Sequence, residues 1–167
     1  MYDELTKNDL EQMQKELDWR RIQLRPQLLE EVKTARAFGD LSENFEYKAA
    51  KQDKNKNESR IRYLENMIRT ARVIDERSEE GVVGMFDKVT VWFEEDKEED
   101  TFQIVTTVKE DALKNRISNR SPAGKAMLGH RVGDRVMVTV NEHYSYPLII
   151  RAIEKCRDDG SIEISSY

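Results

Sequence analysis

The sequence is poor in the residues that most often announce chemistry. Its single cysteine, Cys156, permits no internal disulfide and fits a reducing compartment. Its two histidines, His130 and His143, have no cysteine or second histidine nearby at metal-ligand spacing, so a zinc site is not expected. No glycine-rich phosphate loop of the P-loop or dinucleotide type is present, and serines such as Ser121 lack evident His-Asp partners. No apolar run approaches the length of a membrane span. The opening Met1-Tyr2-Asp3-Glu4 has neither the basic nor the apolar region of a signal peptide, so a cytoplasmic location away from membranes is expected.

Charge, by contrast, is abundant. Charged residues make up 37% of the 167, which suits a chain with a long solvated helical part. The net charge is −5 and it is unevenly placed. Through Asp75 there are 15 basic and 15 acidic residues; beyond it there are 13 and 18, which carries the whole excess. Such a balance makes a poor general binder of duplex nucleic acid.

The stretch from Gly39 to Tyr47, Gly-Asp-Leu-Ser-Glu-Asn-Phe-Glu-Tyr, divides two helical patterns. The first covers about residues 6–38. Thr6 with Asp9 forms a capping-box-like start, and Leu10, Met13, Leu17, Leu24, Leu28 and Ala35 make a narrow apolar seam. Arg20 and Arg21 interrupt that seam, and Pro26 predicts a kink or break near Arg25. The second covers about residues 42–74, with Ile61, Leu64, Ile68 and Ala71 in register and Ser42 as its expected N-cap. Gly39 suits the turn between them because it tolerates positive φ. The pattern is an antiparallel coiled-coil hairpin, apolar at its base and thin and polar near its tip. Six basic residues between Lys48 and Arg62 face only Asp53 and Glu58, so an acidic tip stands on a basic shaft. Local chemistry leaves two meanings open. Asp40 can be a turn residue and Glu43 a dipole partner, or both can be presented to something outside. The lysines can equally be an ordinary solvated face.

Around residues 75–84 the period changes from helical to two. Val89, Val91 and Phe93 predict one strand, and Phe102, Ile104 and Thr106 a second, with the acidic run from Glu94 to Asp100 as the loop between them. Ser121-Pro122 predicts a short helix reaching Leu128 and ending at Gly129. Val132-Gly133-Asp134 is a turn. Val136, Val138 and Val140 predict a third strand; Leu148, Ile150 and Ala152 a fourth; Ile162 and Ile164 a short last one. The expected class is α+β, with a hairpin over residues 1–75 and a β-sheet domain over residues 76–167, each folding separately.

Several of these stretches together resemble one family, the bacterial Gre-type transcript cleavage factors. They are Arg25-Pro26, Ala35-Arg36, Gly39 to Tyr47, Ala49-Ala50-Lys51, Arg60-Ile61 and Leu64-Glu65, then Gln103-Ile104-Val105, Ile117-Ser118, Ser121 to Gly129 and Val132-Gly133-Asp134. The acidic balance is similar to the less basic branch of that family. Departures are Phe45 where alanine is usual, Thr106 for glycine, Arg120 before Ser-Pro, and Asn141-Glu142-His143-Tyr144 for a Pro-Gly-Gly hairpin; a tail from Cys156 runs beyond the usual end.

The resemblance implies an FKBP-like antiparallel β-sheet domain with one short helix that binds RNA polymerase. It implies a coiled coil inserted into the secondary channel, where it stimulates the polymerase's own cleavage of backtracked RNA, so the protein would be an accessory factor rather than an enzyme. Asp40 and Glu43 would complete the polymerase's catalytic site: Asp40 as a ligand to its second Mg²⁺, Glu43 at the attacking water. No cofactor of its own is implied. Arg36, Lys48 and Lys51 would contact the 3′ end of the nascent RNA, and Ser121 and Pro122 the polymerase. A monomer is expected. The alternatives are a regulator that occupies the channel without stimulating cleavage, and a prolyl isomerase suggested by the fold alone.

Overall fold

A computed structural model describes residues 2–39, 44–75 and 79–166. By internal contacts the chain forms two units. One comprises Leu10–Ala71 with Tyr2; the other comprises Asp3–Asp9 and the chain from Arg72 onward. This division differs from a single cut at residue 75, because Glu4–Leu5 (β1) pairs in parallel with Arg72–Val73 (β2). Arg72 donates its amide to Asp3 O at 2.8 Å and Ile74 to Leu5 O at 2.9 Å.

The helical unit holds α1 (Lys7–Trp19), a π-helical segment (Arg20–Leu24), α2 (Arg25–Arg36) and α3 (Phe45–Thr70). The first turn of α1 counts with the other unit, where Thr6 and Asp9 close a full capping box: each backbone amide donates to the other's side chain at 3.1 Å. The kink or break expected near Arg25 takes the form of a widened turn. Pro26 has no amide to give and its ring crowds the carbonyl four residues back. The helix accommodates this with a five-residue span, the Arg25 amide reaching Arg20 O, and continues with right-handed helical dihedrals on both sides.

Met13, Leu17, Leu28 and Ala35 are buried, as are Ile61, Leu64 and Met67 on α3. Where Arg20 and Arg21 interrupt the apolar seam, ion pairs take over. Glu16 receives Arg60 Nε at 2.7 Å and Arg20 Nε at 2.8 Å, Arg20 also donates to Asn57, and Arg25 makes a two-pronged pair with Glu58 at 2.8 and 3.0 Å. Arg21 pairs with Glu65. Arg60 is almost fully buried, so its pair with Glu16 forms part of the hairpin's interior, while the Arg21–Glu65 pair lies on the surface.

The second unit is built on a five-stranded sheet. Its members are β3 (Lys88–Phe93), β4 (Glu98–Val105), β5 (Arg116–Ser118), β6 (Arg135–Asn141) and β7 (Tyr144–Glu154), in the order β5-β4-β3-β7-β6. One short helix, α4 (Pro122–Met127), contributes Met127 to a core with Val89, Val91, Ile104, Val136, Val138, Leu148 and Ile150. The class is α+β, as the periods predict.

Four details differ from the sequence expectation. The acidic run is not all loop, because Glu98–Asp100 already pairs with β3. The sheet is antiparallel except for one pair: β5, which the periodicity did not reveal, runs parallel to β4. The connection between them makes two 3₁₀ turns, Thr107–Lys109 and Ala112–Lys114, and so returns the chain to the end from which it started. In β7 a register shift against Thr90/Val91 inserts one residue; Ile153, not Ala152, then packs on the core. Finally, Ile162 and Ile164 form no strand. Ile162 is buried against Phe86 and Val105, and Ser165 donates to Val108 O at 2.7 Å.

This tail also completes a buried charge cluster. Lys109 Nζ lies 2.8 Å from Asp9 Oδ1 and 2.8 Å from Asp158 Oδ1, with all three side chains fully buried. Thr6 Oγ1 donates to Asp158 Oδ2 at 2.9 Å.

Candidate functional site: the tip of the helical hairpin

The described part of the tip is the end of α2 and the start of α3. After Arg36 the chain tightens, Phe38 donating its amide to Ala35 O at 3.2 Å, and Gly39 adopts φ +140°, a region open mainly to glycine. Asp40, Leu41, Ser42 and Glu43 lie outside the described residues, so both expected catalytic positions and the expected N-cap fall there. The cap of α3 is Asn44. Its Oδ1 accepts from Tyr47 N at 3.0 Å while its Nδ2 donates to Ala35 O at 2.7 Å. A serine hydroxyl could do the first of these tasks; the carboxamide does both and ties the start of α3 to the end of α2.

Behind Asn44 the basic residues gather around two aromatic rings. Arg36 donates to the Tyr47 hydroxyl at 3.2 Å, with its guanidinium 5.4 Å from that ring's centre. The Arg36 hydrogen bond, followed by the positive fields of Arg36, Lys51 and Lys54, draws the Tyr47 phenol below the usual tyrosine range. The expected patch residues Arg36 and Lys51 therefore act on one point. Lys48 stands apart from them, 5.7 Å from the ring of Phe45. Arg36, Lys48 and Lys51 are all exposed. Tyr47 as the gathering ring is absent from the sequence expectation; the signal available was its position three residues after a capping asparagine, on the first turn of α3.

Ser121, expected at a polymerase contact, has its polar atoms engaged. Its Oγ donates to Ser118 O at 2.6 Å and accepts from Gly124 N at 3.1 Å as the N-cap of α4. A side chain at Gly124 would meet Ser118 O at 2.2 Å, so the turn is closed on itself. Pro122 is exposed beside it. Among the described residues no group of three or more His, Cys, Asp or Glu could hold a metal, and no helix is long and apolar enough to cross a membrane.

Comparison with known proteins places this arrangement. Residues 4–73 match the family model described as "Transcription elongation factor, N-terminal" and residues 78–155 the one described as "Transcription elongation factor, GreA/GreB, C-term". The transcription elongation factor GreA of Geobacillus kaustophilus is 45% identical over 80% of this chain and 85% of its own. That of Oenococcus oeni is 38% identical over 92% and 95%. A solved structure of GreA factor homolog 1 from Thermus thermophilus is 28% identical, covering 93% of this chain and 100% of that one with a TM-score of 0.44. On the two matched domains and the identity to curated relatives over most of its length, the chain belongs to the GreA/GreB family of transcription elongation factors.

Proposed function

We propose that this protein acts on RNA polymerase whose transcript has backtracked, stimulating the polymerase's own cleavage of the extruded RNA. The observation that carries this is a two-helix hairpin whose helices are joined, in sequence, by a stretch holding two carboxylates. Asp40 and Glu43 sit between α2 and α3, and α3 alone, at 26 residues, is about 39 Å long. A narrow hairpin of that length can carry carboxylates through a channel to a centre that a globular surface could not reach.

The donor set fits an assisting role. Carboxylate oxygens suit Mg²⁺, but the ion takes six oxygens in near-octahedral array, and two carboxylates fall short of that. Asp40 is proposed as one ligand to a Mg²⁺ that the polymerase otherwise holds, where the ion supplies charge stabilisation at the phosphodiester. Glu43 is proposed to orient the attacking water and help take its proton. Arg36, Lys48 and Lys51 are proposed to contact the RNA backbone, which lysine and arginine on a solvated helix do without regard to sequence. Ser121 and Pro122 are proposed to contact the polymerase, with the Ser121 hydroxyl also shaping that turn. A cytoplasmic monomer suits this role.

The test is cleavage of RNA in stalled, backtracked elongation complexes with purified polymerase, with and without the protein. Shortened RNA that the polymerase can re-extend is expected only when the protein is present. If the protein bound the polymerase and left the RNA intact, the proposal would fail in favour of a regulator that occupies the channel.

A further inference from the structure

Among the described residues Phe45 packs in no apolar core. It is the first residue of α3, it is 80% exposed, and it belongs to neither apolar core cluster of the globular unit nor the buried seam of the hairpin. Its ring is presented from a fixed place, because Asn44 immediately before it is bonded both to Tyr47 N and to Ala35 O. The Lys48 ammonium, one turn further on the same helix, lies 5.7 Å from the ring centre. Phe45 is also two residues past Glu43 in sequence.

A flat exposed ring beside an exposed cation matches one nucleotide: the ring offers a stacking face to the base, and the ammonium a partner to its phosphate. Proteins that hold single-stranded nucleic acid use this pairing, and it tolerates any sequence because every base has a π-face. Duplex would not fit, since its bases are already stacked. We infer that Phe45 stacks on an unpaired base of the extruded RNA, with Lys48 on the adjoining phosphate, and so positions the strand at the tip. This rests on the function proposed above.

The experiment compares wild type with Phe45→Ala, Phe45→Leu and Phe45→Trp on backtracked complexes whose RNA carries 2-aminopurine at its 3′ end. Protein concentration is varied; cleavage and fluorescence are both read. Stacking predicts that Phe45→Trp matches or exceeds wild type, while Phe45→Ala and Phe45→Leu each need roughly ten-fold more protein for half-maximal cleavage. It also predicts that wild type quenches the 2-aminopurine and Phe45→Leu does not. Polymerase affinity on complexes without extruded RNA should be equal for all four. If Phe45→Leu behaves as wild type, the ring packs on an apolar protein surface and the inference is overturned. If all variants cleave alike, it is overturned too, while the proposed function stands. If wild type itself produces no cleavage, the proposed function falls and takes this inference with it.

Discussion

At the scale of single residues, the chemistry concentrates where packing has least to do. Asp40 and Glu43 fall between α2 and α3 in sequence, outside the periodic apolar seams of both helices. Replacing either with alanine is expected to abolish stimulated cleavage while leaving polymerase binding within a few-fold of wild type. Competition binding and the cleavage assay, run side by side, decide this; loss of affinity in proportion to activity would remove both from the catalytic role. Raising Mg²⁺ should partly restore Asp40→Ala but not Glu43→Ala, since mass action compensates for a missing ligand and not for a missing base. Asn44 is the opposite case, a residue whose value is structural. Asn44→Ala loses the cap of α3 and the link to Ala35 O, and should cost about 1–2 kcal/mol. Asn44→Ser keeps a capping oxygen and should recover only part of that, as read by amide exchange at Tyr47.

At the scale of elements, the helical hairpin substitutes ions for oil along its middle. Burial alone would raise the pKa of Glu16, but the hydrogen bonds from Arg60 and Arg20 outweigh it and hold the carboxyl below its ordinary 4.5. A carboxylate depressed in the folded state contributes stability above its unfolded pKa and loses it as pH falls through the folded value. Acidification below pH 4.5 should therefore cost wild type more stability than Glu16→Gln, which has no proton to gain there. Urea unfolding followed across that window checks the sign, and identical acid sensitivity of the two proteins would contradict the network. Arg20 reads from sequence as an interruption of a seam because periodicity scores apolarity alone. Its pair with Glu16 has ordinary i,i+4 helical spacing, but its other partner, Asn57, is 37 residues away on α3, where no window of the first helix shows it.

At the scale of the molecule, the second unit takes its first residues from one end of the chain and its closing segment from the other. Lys109 is its most exacting point, a buried ammonium between Asp9 and Asp158. Lys109→Met would leave two buried carboxylates without a counter-charge and should cost about 3–5 kcal/mol. Adding Asp158→Asn should restore part of that loss, because one unpaired charge is then removed. A double-mutant cycle by thermal unfolding of the full chain gives the coupling, and additive effects would argue against the cluster. The same geometry bears on fragments. A piece beginning at Gly81 lacks β1, β2 and Asp9, so circular dichroism should find it melting below the same residues in the whole protein.

The sequence by itself determined the class, the hairpin, the position of its turn and the family, because these rest on local periods and on one long run of specific residues. Thr6 and Asp9 announce their capping box within four residues, and Ser121-Pro122 announces α4 in the same way. Tertiary structure alone decided what depends on distant partners. Asn44 caps α3 because Ala35 O waits across the turn; β5 runs parallel because of the path its connection takes; Ile162 in the tail is buried because Phe86 and Val105 offer it a place. Lys109 looks like any surface lysine until Asp9 and Asp158, 100 residues before it and 49 after, are brought to the same point. No window along the chain contains that meeting, since a buried charge is tolerated only by the partners the fold assembles around it.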